Sequence, residues 1–176
     1  MEMTESDYTR WYIVQALFKL MSAGEYDGIG VTDIAKKAGV GRATFYRYFK
    51  SKADVIRYYF ERHTREFGRS LRYYPRCRED YVDVVKSVLS AFRAQAGPIE
   101  LIRKARLEYI YLDFLNENFS AMFGREYPDE NPYAPYLYAG MLFTVSMRWM
   151  ADGFPTDEDE LARMMVNAIY GKDKTE

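Results

Sequence analysis

The segment that most constrains this chain runs from Val31 to Ile56, VTDIAKKAGVGRATFYRYFKSKADVI. It holds two short amphipathic runs separated by one glycine. Ile34, Ala35 and Ala38 fall on one face of the first, with Thr32 where an N-cap would stand. Gly39 suits a left-handed helix stop, and Val40 is an apolar plug in the turn. The second run, about Arg42 to Phe49, must serve two masters in eight residues. Phe45 and Phe49 point the same way and can anchor in a core, while Ala43, Thr44 and Arg47 point nearly opposite. Two helices joined by such a turn form a helix-turn-helix unit, whose second helix enters the major groove while held by the first.

On that reading the side chains sort by chemistry. Arg42 and Arg47 can pair bidentately with guanine, and Ala43 or the Thr44 methyl can touch a thymine methyl. Tyr46, Tyr48, Lys50 and Lys52 lie where phosphate contacts set register. Thr32 offers its hydroxyl and helix N–H groups to another phosphate, and Gly41 precedes the reading helix as its cap. The charge distribution agrees. The net charge is −1, yet residues 1–65 carry 11 basic and 8 acidic groups, and from Lys36 to Arg57 the only acid among seven basic residues is Asp54. A basic patch on an otherwise acidic protein has a defined partner, here double-stranded DNA.

The rest of the chain reads as helices. Residues 7–22 carry an apolar stripe of Trp11, Val14, Leu17, Phe18 and Met21, with Ser6 or Asp7 as cap. A fourth helix starts at Lys52, capped by Ser51, and buries Ile56, Phe60, His63 and Phe67. After a linker at Tyr73 to Arg76 come a helix from an Asp80 cap to about Ala96 with Val84, Val88, Leu89 and Phe92 inward, a helical stretch 99–119 broken near Lys104 to Leu107, a loop 124–135 with three prolines, an apolar helix 136–151, and a helix Asp157 to Ile169. No strand is expected. The fold class is all-α: a three-helix module over 1–51 and a helical domain over 52–176, with helix 52–71 linking them. One short helix contacts too few bases to be specific, so a homodimer reading two half-sites is expected.

Val31 to Ile56 closely resembles the DNA-binding signature of the TetR family of bacterial transcriptional regulators, at Thr32, Ile34, Ala35, Ala38, Gly39, Val40, Thr44, Phe45, Tyr46, Tyr48, Phe49, Lys52 and Ile56. Gly41 stands where many members have serine, and Tyr48 where histidine is common. The resemblance implies an all-helical homodimer of about nine helices, a near-palindromic operator, usually repression, and a C-terminal domain that often holds a small-molecule inducer. WMADGFPTDEDELARMM looks like the C-terminal pattern of one TetR subgroup. The last two helices of family members form a four-helix dimer interface, which places Ala139, Gly140, Met147, Met150, Leu161, Met165, Ala168 and Ile169 there. A pocket for an apolar or aromatic effector would be lined by Phe67, Leu71, Phe92, Leu107, Tyr111, Phe114 and Phe143, and the abundance of aromatics (17 Tyr, 11 Phe, 2 Trp) suits it. The alternative is a C-terminal domain that binds a protein partner, as some co-activators in the family do.

Other chemistry is not signalled. One histidine and one cysteine cannot build the usual zinc site, and Cys77 reads as an idle linker thiol. No catalytic residues, metal ligands or cofactor motif are identifiable. No apolar run reaches the roughly 18 residues of a membrane span, no signal peptide is visible, and a cytoplasmic regulator is expected.

Overall fold

A computed structural model describes residues 4–70 and 77–171, the side chains of 67–70 excepted. Leu71 and the expected linker Tyr73 to Arg76 lie outside the described residues. Nine α-helices and no strand occur among the described residues: α1 Glu5–Met21, α2 Val31–Ala38, α3 Arg42–Tyr48, α4 Lys52–Ser70, α5 Arg78–Ala94, α6 Ala96–Lys104, α7 Tyr109–Glu126, α8 Ala134–Ala151 and α9 Glu158–Tyr170. None is long and apolar enough to cross a membrane. The chain divides into two compact units, one of 1–63 with 98–114 and one of 64–97 with 115–176.

In the first unit α1 starts earlier than the sequence suggests. The cap is Thr4, whose Oγ1 accepts the Asp7 N–H at 3.2 Å while Asp7 Oδ2 accepts the Thr4 N–H at 3.2 Å. This reciprocal box satisfies two donors that a lone Ser6 or Asp7 would leave open. Ile13, Val14, Ala16, Leu17 and Met21 are buried; Trp11 and Phe18, expected inside, are half-buried. α2 is entered through Gly30, not Thr32, because the Asp33 carboxylate reaches back to the Gly30 N–H at 2.9 Å. The helix stops at Gly39, which takes φ 71° and ψ 27°. Its N–H donates to Lys36 O, and Val40 N–H to Ala35 O. The left-handed backbone suits glycine because no Cβ meets the carbonyl.

The break expected near Lys104 to Leu107 is present. Arg106 adopts φ 57°, and Leu107 N–H donates to Ile102 O at 3.0 Å. A non-glycine residue thus makes the left-handed stop, which costs about 1 kcal/mol or more. Beyond it, Tyr111 and Phe114 are buried, and Tyr111 stacks on Phe60 of α4 with centroids 4.7 Å apart.

In the second unit α5 packs against α8 and α9. Cys77, not Asp80, is the α5 cap residue, and Asp80 supplies the carboxylate that accepts its N–H at 3.2 Å. Val82, Leu89 and Phe92 are buried, whereas Val84 and Val88 are only half-buried. α7 runs on to Glu126, so the expected loop at 124–135 is shorter at both ends. α8 closes on Gly153 at φ 80° and Phe154 at φ 61°. Trp149 locks this turn: its Nε1 donates to Thr156 O at 2.8 Å, and its ring meets Phe154 edge-on at 4.7 Å. Asp157 then caps α9 by accepting the Glu160 N–H at 2.8 Å.

Candidate nucleic-acid interface

α3 divides its residues as the wheel requires. Phe45 is fully buried and Phe49 is 4% exposed, and their rings lie 5.9 Å apart, with Tyr58 of α4 5.6 Å beyond Phe49. Arg42, Ala43, Tyr46 and Arg47 are exposed, and Thr44 and Tyr48 are half-buried. Burying two aromatic rings fixes the helix's rotation and leaves Ala43 and Arg47 on its exposed face. Gly41 caps with φ −76° and ψ 155° and makes no side-chain cap bond.

The acids around this surface are engaged. Asp33 is held by the Gly30 N–H. Asp54 Oδ2 accepts from the Lys50 N–H at 2.9 Å and the Ser51 N–H at 2.8 Å, tying the α3–α4 turn to the start of α4. Lys36, Lys37, Arg42, Arg47 and Lys50 remain exposed. Five exposed cations against Asp33 and Asp54 leave this surface with an excess of positive charge. Thr32, one residue inside α2, is exposed beside that helix's N-terminus.

Lys52 is placed differently from the expectation. Its side chain turns into the unit, where Nζ donates to Tyr26 O and Ile29 O at 2.8 Å each and sits 4.1 Å from the Tyr26 ring centroid. Two of its three donors are spent on the loop before α2. Burial pushes the Tyr26 phenol up to about 12, helped by Tyr109, Asp27 and Asp54. The sequence shows a lysine in a basic run; it does not show the two carbonyls, which lie far off in the chain. Arg10, absent from the sequence reading, lies over the rings of Tyr48 and Tyr58 at 5.3 and 5.7 Å.

The effector-site candidates divide between the two units. Of the effector-site residues, Leu107, Tyr111 and Phe114 belong to the first unit, Phe92 and Phe143 to the second, and Leu71 and the Phe67 side chain fall outside the described residues. Burial pushes the Tyr111 phenol up. Of the dimer-interface residues, Ala139, Met150, Leu161 and Met165 are already buried within the single chain. These four side chains belong to the chain's own core. Gly140 and Met147 are half-buried, and Ala168 and Ile169 are exposed. Met164 and Tyr170 add exposed apolar surface on α9, and Tyr133, Tyr136 and Leu137 add it at the start of α8. His63 lies half-buried against Tyr59 and Trp11, its ring 4.5 and 5.8 Å from theirs. Among the described residues no group of three or more His, Cys, Asp or Glu could hold a metal ion.

Comparison with known proteins matches this surface. Residues 13–59 match the family described as bacterial regulatory proteins, tetR family. An uncharacterized HTH-type transcriptional regulator of Mycobacterium tuberculosis is 41% identical over 59 residues, 34% of this chain and 29% of that protein. The dhaKLM operon transcriptional activator DhaS of Lactococcus lactis is 34% identical over 61 residues, 35% of this chain and 33% of that protein. The matched stretch is thus about a third or less of each relative's length. Over nearly the whole chain the fold is similar to that of Lin0861 from Listeria innocua, with a TM-score of 0.79 at 18% identity, covering 97% of this chain and 94% of that one.

Proposed function

Through residues 13–59 the chain belongs to the TetR family of bacterial regulatory proteins, and from that premise we propose that it is a sequence-specific DNA-binding transcriptional regulator. It binds a near-palindromic operator as a homodimer and acts as a repressor released by a small apolar or aromatic effector. One observation carries the DNA reading: the fully buried Phe45 anchors α3 so that Ala43 and Arg47 are exposed on a face that also shows Arg42, Lys36, Lys37 and Lys50. Arg42 and Arg47 read base edges, and Tyr46, Tyr48 and Lys50 set register on the backbone. The exposed apolar residues of α8 and α9 support association with a second copy. The aromatic pair Phe60–Tyr111, stacked on the helix that follows α3, supports an effector that is itself apolar or aromatic.

Selection of duplexes from a random pool, at one stated salt concentration, tests this reading. Wild type recovers a near-palindrome, and Arg47→Ala loses or relaxes it. Failure of both folded proteins to enrich any sequence refutes it. A second reading, in which the C-terminal half docks a partner protein, is favoured by Tyr133 and Leu137, each 73% exposed. Co-purification of a defined protein that restores operator binding separates it from the first.

A further inference from the structure

Beside the reading helix lies a recess of about 380 Å³ bounded by Arg10, Tyr48, Asp54, Arg57, Tyr58 and Glu61. The two acids on its wall are occupied: Asp54 by the Lys50 and Ser51 N–H groups, and Glu61 by Arg57 Nε at 3.3 Å. Arg10 is not. Its guanidinium lies over the Tyr48 and Tyr58 rings, and among the described residues it makes no hydrogen bond or ion pair. Cation–π attraction to two rings favours this position of the guanidinium, and none of its five N–H donors is committed among the described residues. A cation so held pays little to become ordered when it binds.

The recess sits on one flank of α3. Tyr48 shares that flank with Thr44, while Ala43 and Arg47 form the centre of the outward face. A helix seated in the major groove has a phosphate backbone along each flank. We propose that Arg10, from the first helix, is a phosphate clamp for the operator backbone, pre-positioned by Tyr48 and Tyr58. This rests on the DNA-binding reading above and extends the interface from α2 and α3 to α1. The contact carries no sequence information; it fixes where α3 sits.

The test is the salt dependence of binding by wild type, Arg10→Gln and Arg10→Lys. The probes are one selected duplex and one scrambled duplex of equal length, and the melting temperature of each protein is measured alongside. Wild type binds with a steep dependence of log K on log salt. Losing one phosphate contact lowers the steepness by about 0.9 for each bound subunit. Arg10→Gln therefore shows a shallower slope on both duplexes, with affinity reduced on the order of tenfold per subunit and selectivity between the duplexes unchanged. Arg10→Lys keeps the slope and loses several-fold in affinity, because the charge stays and the fork is lost. If Arg10→Gln melts early, the lysine variant decides, since a packing role predicts no loss of affinity there. Equal slopes for wild type and Arg10→Gln overturn the clamp while leaving DNA binding intact. Absence of binding by wild type to any duplex overturns both.

Discussion

Replacing Lys52 with methionine separates two roles that a lysine in a basic segment can play. In the structure its ammonium is a bracket between α4 and the loop before α2, through two charge-assisted hydrogen bonds at 2.8 Å and a cation–π contact at 4.1 Å. Methionine keeps much of the aliphatic stem and removes the charge. The site is only part-buried, so the freed carbonyls of Tyr26 and Ile29 can turn to water. The low end of the range therefore applies: about 1.5 kcal/mol for the hydrogen-bonded cation and about 0.5 kcal/mol for the ring contact. The expected loss is about 2 kcal/mol, read by urea denaturation followed by circular dichroism. Amide exchange should rise first in residues 24–30, because that loop is what the bracket holds. Affinity for DNA should fall with little change in salt slope. The reasoning is refuted if Lys52→Met leaves stability and loop protection at wild-type values while the salt slope drops by about 0.9 per subunit, since that pattern belongs to a phosphate contact.

Two further outcomes follow from buried aromatics. Phe45→Ala empties a fully buried site and should cost about 3–5 kcal/mol, measured by the same denaturation; a cost under about 1 kcal/mol would mean that α3 is not anchored as described. Alkaline titration followed at 295 nm should show phenols that resist ionisation in the folded protein. Burial raises Tyr26 to about 12 and pushes Tyr59 and Tyr111 up as well. A raised folded value means that these groups stabilise the fold fully below about pH 10 and that the contribution is lost as pH climbs toward 12 and beyond. If every tyrosine ionised together near pH 10 with helicity retained, the burial assigned to these three would be wrong.

The reading of the helix pair was legible because its determinants are local. Gly39, Phe45 and Phe49 act within one or two turns of the residues they position, so periodicity and one left-handed stop suffice. The stop near Lys104 to Leu107 was legible for the same reason, although nothing marked Arg106 as the residue that turns left-handed. What the sequence hid depends on distance along the chain. Lys52 looks like surface charge until Tyr26 and Ile29 are seen to face it, and Arg10 looks idle until Tyr48 and Tyr58 lie beneath it. The stripes of α8 and α9 illustrate another limit. Apolar spacing shows that Ala139, Leu161 and Met165 must be covered, but not whether by the same chain or by another. Here α5 and its neighbours cover them.

The polar seam between α5 and α9 has its own consequence. Lys86 meets Asp159 at 3.0 Å, Asp159 also meets Arg163 at 2.9 Å, Arg163 meets Glu79 at 2.9 Å, and Arg93 meets Glu158 at 3.1 Å. Each pair is exposed and contributes little stability. Sign, however, reverses once along the seam: Glu79, then Lys86 and Arg93, on α5 face Arg163, then Asp159 and Glu158, on α9. If α9 slid by one helical turn, Arg163 would stand where Asp159 stands and would face Lys86, cation against cation. The charges act as a ratchet tooth that permits one registration of the two helices and rejects its neighbours.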